Sequence, residues 1–380
     1  MKGSKQIMAK VLPCTGEGAI FFGRRPEDLP ALADDRQPVA NHHAPYKFAY
    51  ARTALKYGLQ ASGFTPGNVV LVPDLICESL LEPLADLGLG VCYYPVGPTL
   101  EPEWGQLEQL LADPVKALLV VHYFGQPQPM AEVLGFCRRN GLLLIEDNAH
   151  GFGATFEGQA LGTFGEIGIS SPRKSFPVPN GAFLYLAKDQ MLDLAALRLT
   201  PTSASLRRRC RSWLQGLIPA ALLRRRRATI AYRRRLGPPP PYGSQTAFRE
   251  APLAGDFVMA AGVDRFLNRQ DVTKIGELRR RIYGIWLGWA KTRGLQPVFP
   301  ELAAGAMPLV FPAYAKSVAD SLQWYARGHW AGVDIHSWPT LPQAVVERNG
   351  GAMRLWERLV CFPIHQDMNI QVLERRLALL

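Results

Sequence analysis

Short apolar runs alternate with stretches of helical spacing between about residues 46 and 186, and this alternation predicts a parallel β-sheet. The helical stretches cover residues 52–62, 78–87, 107–111 and 130–140. Strands separated by helices of this length pair in parallel and are covered by helices on both faces. The predicted fold class is therefore α/β, with strand-like runs at residues 69–72, 91–94, 117–121, 142–145 and 167–169.

A proline- and glycine-rich stretch, GPPPPYG at residues 237–243, predicts the boundary between two domains. Beyond it, the pattern predicts helices over residues 258–268 and 272–292 and then a smaller α+β region from Pro308 onward. We therefore expect an N-terminal arm (residues 1–45), a large domain (46–240) and a small C-terminal domain (241–380).

Much of the net charge of +11 comes from arginine clusters in residues 194–236, a segment without any acidic residue. Its apolar residues fall at helical spacing, so the segment predicts a basic amphipathic helix that Pro219 kinks or splits. Such a helix can lie on an anionic membrane through residues 206–235, bind acidic ligands, or pack its apolar stripe on its own domain. We expect no nucleic-acid partner, because no recognised binding motif accompanies the charge.

The remaining composition indicates a cytoplasmic enzyme without a metal. Hydrophobic residues make up 48% of the chain, and neither a secretory signal nor an uncharged apolar segment of membrane-spanning length is apparent. Six cysteines are scattered without CxxC spacing, which argues against a disulfide framework and against a zinc site.

Reactive side chains are concentrated in residues 142–182. Asp147 follows a buried strand, where open α/β sheets bind their ligands, and two serines precede Lys174. Pyridoxal phosphate (PLP) requires a lysine amine for its Schiff base and an acid against the pyridinium nitrogen. Lys174 and Asp147 are therefore the candidate pair for a PLP site.

Several motifs resemble the DegT/StrS-type aminotransferase family, PLP enzymes of fold type I that mostly aminate keto groups on nucleotide-linked sugars. In chain order, the motifs that carry the resemblance are YARTAL (50–55), PGNVVLVPDLIC (66–77), VVHYFGQP (120–127), IEDNAH (145–150), SPRK (171–174), PVPNG (177–181), SWPTLP (337–342) and CFPIHQ (361–366). The resemblance implies a mostly parallel sheet between helices in the large domain, a smaller α+β C-terminal domain and a homodimer.

The resemblance also implies roles for individual residues. Lys174 would form the Schiff base, Asp147 would face the pyridine nitrogen, and His150 would lie near the phenolic oxygen. A cofactor phosphate is bound by backbone N–H groups and hydroxyls at a helix N-terminus, and the phosphate-binding candidates are Arg52, Thr53 and Ser171.

Cys77 lies where many family members place an aromatic ring over the cofactor, and it packs either on that ring face or in the core. The candidate residues on the substrate side are His122, Tyr123 and Gln126, for which a pocket position and a core position are equally open. Arg173 places a second cation beside Lys174.

Three positions depart from the family pattern. Ala51 replaces a glycine of the phosphate-binding turn, and residues 180–182 read Asn-Gly-Ala where the pattern is acidic-Gly-Gly. The loop at residues 245–257, which would reach the partner subunit's cofactor, contains Arg249 but no matching asparagine. We expect either a differently held phosphate or a shifted substrate class.

The function predicted from the resemblance is transfer of an amino group from an amino acid, with glutamate expected, to a keto-sugar, with a nucleotide-linked sugar expected. A PLP-dependent sugar dehydratase is an alternative, although its family members replace the lysine that Lys174 retains. A non-catalytic homologue with a regulatory or membrane-associated role is a further alternative.

Overall fold

The computed structural model describes residues 45–111, 114–197, 199–200, 257–337 and 341–380. Nearly all of the predicted N-terminal arm and of the basic segment, and the whole Pro- and Gly-rich stretch, lie outside the described residues. The loop at residues 245–257 lies outside them too, except for its last residue.

Seven strands form one sheet in the larger unit, in the order β1-β9-β8-β5-β4-β2-β3. All neighbours pair in parallel except β9, which is antiparallel to both β1 and β8. Successive residues of the central strand, from Ala117 to Val121, are all buried, so both faces of the sheet are covered. The predicted α/β fold with a mostly parallel sheet is confirmed. The strands are β1 (Tyr46–Phe48), β2 (Val69–Pro73), β3 (Gly90–Tyr94), β4 (Val115–Val121), β5 (Leu143–Asn148), β8 (Ile167–Ser170) and β9 (Ala182–Leu186), and a hairpin of β6 (Thr155–Phe156) and β7 (Gln159–Ala160) lies between β5 and β8.

The helices of the larger unit are α1 (Ala51–Ala61), α2 (Glu82–Asp86), α3 (Trp104–Glu108) and α4 (Met130–Asn140). Helix α1 packs closely on β8 and β9 at Gly58, where an added Cβ would lie 2.8 Å from both Ile167 Cγ2 and Leu184 Cδ1. Gly58 therefore sets the distance between helix and sheet.

The direction of α1 follows from the contacts at its two ends. The Ser62 hydroxyl, just beyond the helix, lies 2.8 Å from Gln190 Oε1, after the end of β9. Ala49, just before the helix, accepts a hydrogen bond from Gly181 N at 2.9 Å, next to the start of β9. Because β9 is antiparallel to β8, the N-terminus of α1 lies at the carboxyl edge of β8.

The smaller unit contains a three-stranded antiparallel sheet packed against helices. Its aromatic core includes Trp286 and Phe362, whose ring centroids lie 4.8 Å apart. The helix predicted over residues 258–268 begins only at Val263, because Val258 is extended and bridges to Phe48. Its elements are α5 (Val263–Asn268), α6 (Val272–Lys291), β10 (Gln296–Pro297), β11 (Val310–Tyr314), α7 (Val318–Ala331), α8 (Gln343–Arg348), α9 (Gly351–Arg358), β12 (Leu359–Pro363) and α10 (Ile370–Leu377).

The described ranges contain neither a group of side chains placed to bind a metal ion nor a membrane-spanning helix. No group of three or more histidine, cysteine or carboxylate side chains there is placed to bind a metal ion. No helix within the same ranges is long and apolar enough to cross a bilayer.

Candidate functional site

Asp147 occupies the carboxyl edge of the sheet, beside the strand that leads to Lys174. It lies inside β5, opposite Val121 of β4 and Ile169 of β8, so the strand runs past the end predicted at residue 145. The side chain is buried, and its Oδ1 accepts a hydrogen bond from Ala149 N at 2.8 Å. Burial raises the pKa of this carboxyl, and the nearby Lys174 charge partly offsets that rise.

Lys174 ends a short 3-10 turn, Pro172–Lys174, that follows β8. Its charge also acts on His150, whose pKa lies well below the ordinary value because the ring is buried and faces this cation. The His150 Nδ1 accepts a hydrogen bond from Phe124 N at 3.2 Å, so the proton of the neutral ring is on Nε2. The structure thus brings Lys174, Asp147 and His150 together.

Buried hydroxyls surround the same edge without hydrogen-bond partners among the described residues. They are the side chains of Thr53, Ser170 and Ser175, and Ser171 is buried as well. Unpaired buried polar groups are costly, and a site that leaves several together favours a polar ligand. The N-terminus of α1 adds the backbone N–H groups of its first turn, which Tyr50 does not cap with its side chain. This donor set fits a phosphate.

Arg52 contributes its backbone to that helix N-terminus, while its guanidinium lies elsewhere. Arg52 Nη1 lies 3.1 Å from Glu82 Oε2 at the start of α2, in a mostly buried ion pair. The Arg52 side chain is thus engaged with Glu82, and phosphate binding by Thr53 and the helix backbone stays a prediction.

Cys77 is half-buried at the start of a 3-10 turn, with its Sγ 3.2 Å from Ser79 Oγ. A residue of the turn after β4 fixes the loop that carries Cys77, because the Tyr123 hydroxyl donates to Leu75 O at 2.7 Å. Packing of Cys77 on a cofactor ring stays a prediction.

Of the two positions left open for the substrate-side candidates, the structure favours the one in the framework. His122 is fully buried, its Nδ1 accepts from Gln128 N at 3.1 Å, and its Nε2 lies 3.1 Å from Glu146 Oε2. Tyr123 is buried with its hydroxyl on Leu75 O, and Gln126 Oε1 accepts from Ala303 N at 3.2 Å. These three side chains thus support the framework of the site through hydrogen bonds with Gln128, Leu75 and Ala303. Arg173 is half-buried beside Lys174.

Glu146 is a framework residue that the sequence reasoning missed. Its fully buried carboxylate accepts backbone hydrogen bonds from Gly162, Phe164 and Gly165 at 2.9, 2.6 and 2.8 Å, in addition to the contact with His122. The glycine-rich loop between β5 and β8 is thereby fixed from the strand that carries Asp147. A carboxylate inside an otherwise apolar strand, followed by a glycine-rich loop, was the available signal.

Comparison with known families identifies the larger unit. Residues 43–197 match the model of the DegT/DnrJ/EryC1/StrS aminotransferase family. Over these residues the chain is similar to that family. The resemblance drawn from the motifs is confirmed, and the matched segment contains all the candidate site residues from Arg52 to Lys174.

Curated relatives match about a third of the chain. A dTDP-4-dehydro-2,3,6-trideoxy-D-glucose 4-aminotransferase of Saccharopolyspora spinosa is 30% identical over 145 residues, which cover 37% of this chain and 38% of the relative. A GDP-perosamine synthase of Caulobacter vibrioides is 35% identical over 120 residues, covering 31% and 32% of the two chains. The chain thus spans about a third of the length of these relatives.

The fold likeness extends over most of the chain. The structure of a GDP-4-keto-6-deoxy-D-mannose-3-dehydratase of E. coli, with bound hydrated PLP, superimposes with a TM-score of 0.63 at 18% identity, covering 89% of this chain and 88% of that one. The smaller unit therefore also follows the architecture of this structural group.

Proposed function

We propose that the protein is a PLP-dependent aminotransferase that moves an amino group from an amino acid, glutamate in the first instance, to a nucleotide-linked keto-sugar. The observation that carries the proposal is the convergence of Lys174, buried Asp147 and buried hydroxyls at one edge of the sheet. The names of the matched relatives, a keto-sugar 4-aminotransferase and a perosamine synthase, support the acceptor class.

The residues present fit PLP, which when bound supplies an electron sink for the carbon that loses a proton. Thr53, Ser171 and the N-terminus of α1 would bind its phosphate. Asp147 would face the ring nitrogen, and a protonated nitrogen there would favour the ionised carboxylate that burial now disfavours. His150 would donate from Nε2 to an oxygen of the ring.

Lys174 would perform the chemistry at its Nζ. Its amine would be the nucleophile that holds PLP and, when free, the base that accepts and returns the proton of the amino-donor carbon. Its neighbour Asp147 would keep the ring nitrogen charged through that step. Because Lys174 is retained, a sugar dehydration is not favoured.

The cofactor assignment is tested by titrating the purified protein with PLP and reducing the mixture with borohydride. Peptide mass spectrometry should then find the cofactor on Lys174. Lys174→Arg is the matched control, since it keeps the positive charge and removes the nucleophilic amine. A protein that takes up no PLP, or one that carries it on another lysine, contradicts the proposal.

The reaction is tested on the loaded protein. Glutamate should convert the bound cofactor to its amine form, seen as a change in the visible spectrum, and nucleotide-linked keto-sugars should reverse the change. Conversion by glutamate without reversal by any keto-sugar would leave an aminotransferase with a different acceptor class and refute the sugar assignment.

We further propose that the protein is a cytoplasmic homodimer and that residues 206–235 contact anionic membranes. The first part rests on the family's interface-built sites and the second on the arginine-rich composition of the segment. Light scattering should give a dimer mass. Flotation with anionic liposomes should retain the protein and lose it when the arginines of this segment are replaced, and equal recovery would exclude membrane contact.

A further inference from the structure

Arg279 on α6 is a fully buried guanidinium that lies outside the site described above. Its Nε and Nη2 donate to Gln366 Oε1 at 3.0 and 2.6 Å, Nη2 also donates to Ser175 O at 3.2 Å, and Nη1 donates to Pro308 O at 2.8 Å. All of these acceptors are uncharged oxygens.

Burial of a charged guanidinium at this core position carries a desolvation cost in free energy. Burial lowers the pKa of Arg279 to about 10, and the nearby Asp367 carboxylate opposes that shift. The group is therefore still charged at neutral pH, in an environment where an apolar side chain of similar volume is often at least as stabilising. The geometry of its hydrogen bonds offers a reason for the charge.

One arm of the guanidinium holds the lysine loop. Ser175 directly follows Lys174, and its carbonyl accepts from Arg279 Nη2 and also from Gln366 Nε2 at 3.1 Å. Both donors come from the smaller unit, from α6 and from the segment after β12. The backbone that carries Lys174 is thus fixed from outside its own domain.

The other arm reaches the loop that holds His150. Nη1 binds Pro308 O, and the two residues around Pro308 pair with the loop after β4, Met307 N with Gly125 O at 3.0 Å and Leu309 N with Phe124 O at 2.8 Å. Phe124 N in turn donates to His150 Nδ1. Arg279 therefore connects the Lys174 loop with the His150 loop.

We propose that Arg279, together with Gln366, is a positioning residue that sets Lys174 relative to His150. The inference rests on the proposed function, since it concerns the proton that Lys174 Nζ moves. A planar fork of five donors can bind Ser175, Pro308 and Gln366 at once, whereas a lysine ammonium cannot span these three acceptors.

The test compares Arg279→Lys with Arg280→Lys, the same substitution at the next residue of α6. Arg280 is half-buried and donates to Ala306 O at 2.9 Å, so it is a matched control with one backbone contact. We expect Arg279→Lys to bind PLP on Lys174 but to react with glutamate roughly 10- to 100-fold more slowly, because small displacements of a reacting group carry penalties of this size. The half-saturating glutamate concentration should change little.

Hydrogen exchange on the unloaded protein gives a readout that is independent of activity. In Arg279→Lys, peptides covering residues 171–181 and 122–126 should exchange faster, while the rest of the chain and the Arg280→Lys protein should match the wild type. Faster exchange spread over the whole chain would indicate a purely structural role and overturn the inference.

The outcomes separate the two proposals. A wild-type protein that takes up no PLP contradicts the proposed function, and the role of Arg279 in proton transfer fails with it. A wild-type protein that reacts with glutamate, with Arg279→Lys reacting equally fast, overturns the positioning role alone. Gln366→Glu is a second variant that keeps the acceptor for Arg279 and removes the Nε2 donor to Ser175 O, and it should slow the reaction in the same way.

Discussion

Asp74 makes the stability of the protein depend on pH in a direction that can be measured. The residue follows β2 and accepts a hydrogen bond from Val96 N at 3.2 Å, and it also faces the backbone N–H of Ala352 in the first turn of α9. A carboxyl of the larger unit therefore lies at a helix N-terminus of the smaller one. Despite these donors, burial dominates and raises the pKa of Asp74 to about 6.

The sign and size of the effect follow from this value. An acid with a higher pKa in the folded state than in the unfolded state ionises more easily when unfolded, so ionisation destabilises the fold. The stability of the wild type should fall as the pH rises from about 4 to 6 and then level off. A pKa raised from 3.8 to about 6 corresponds to about 3 kcal/mol in total, of which about 1 kcal/mol is lost between pH 5 and pH 8.

The perturbation is Asp74→Asn, which removes the ionisable proton and keeps one acceptor oxygen. Urea unfolding, followed by the fluorescence of the buried Trp286 and Trp324, would be measured at pH 5 and pH 8 for both proteins. We expect the stability of Asp74→Asn relative to the wild type to increase by about 1 kcal/mol over this interval, whatever its value at pH 5. Asp86→Asn is the control, since this carboxyl is exposed and pairs with Lys56 at 3.1 Å. A relative stability that is the same at both pH values would refute the reasoning.

Two further substitutions test the framework and the phosphate site. Thr53→Val should stabilise the unloaded protein by about 1 kcal/mol, because it removes a buried hydroxyl without a partner among the described residues, and it should weaken PLP binding roughly tenfold or more. The stability from unfolding and the affinity from PLP titration should therefore change in opposite directions. A parallel change would exclude a phosphate contact. Glu146→Gln should destabilise the protein by roughly 2–4 kcal/mol, because one amide oxygen replaces a carboxylate that accepts three backbone N–H groups. The control is Glu157→Gln, in the β6–β7 turn, and equal unfolding midpoints for the two variants would contradict this role.

The sheet could be predicted from the sequence because its central strands are buried on both faces. Such strands consist of continuous apolar runs, and the predicted residues 117–121 all lie within β4. The start of α5 could not be predicted in the same way. Val258 has helix-compatible neighbours in sequence, but its bridge to Phe48 connects residues 210 positions apart, and that contact decides its conformation.

In the candidate site, too, local motifs predicted some residues and contacts remote in sequence decide the positions of others. Asp147, His150 and Lys174 lie within a short stretch of chain, so one set of motifs predicted all three. For His122, Tyr123 and Gln126 the sequence left a pocket position and a core position equally open, because their partners Glu146, Leu75 and Ala303 are remote in sequence.

Arg279 was missed although a local signal existed. It lies in the run Arg279–Arg281, which is read by default as exposed charge. However, it falls on the buried stripe of α6 with Ile275, Ile282 and Trp286, and its two arginine neighbours do not. An arginine at an apolar position of an amphipathic helix indicates a buried guanidinium whose hydrogen-bond acceptors lie elsewhere in the chain.

The departures from the family pattern have limited consequences for the backbone of the site. Ala51 is the first residue of α1 and has a right-handed helical backbone, which does not require glycine. Asn180 uses Oδ1 to accept a hydrogen bond from Ala260 N at 2.9 Å, as a carboxylate could, while Gly181 keeps a φ of +134° that favours glycine. The substitution of an acid by Asn180 therefore preserves the link between the lysine loop and the smaller unit. The substitution removes a negative charge beside that loop and adds a buried Nδ2 without a partner among the described residues. We therefore expect any shift in ligand preference to arise from the surroundings of Asn180 and not from a change in the fold.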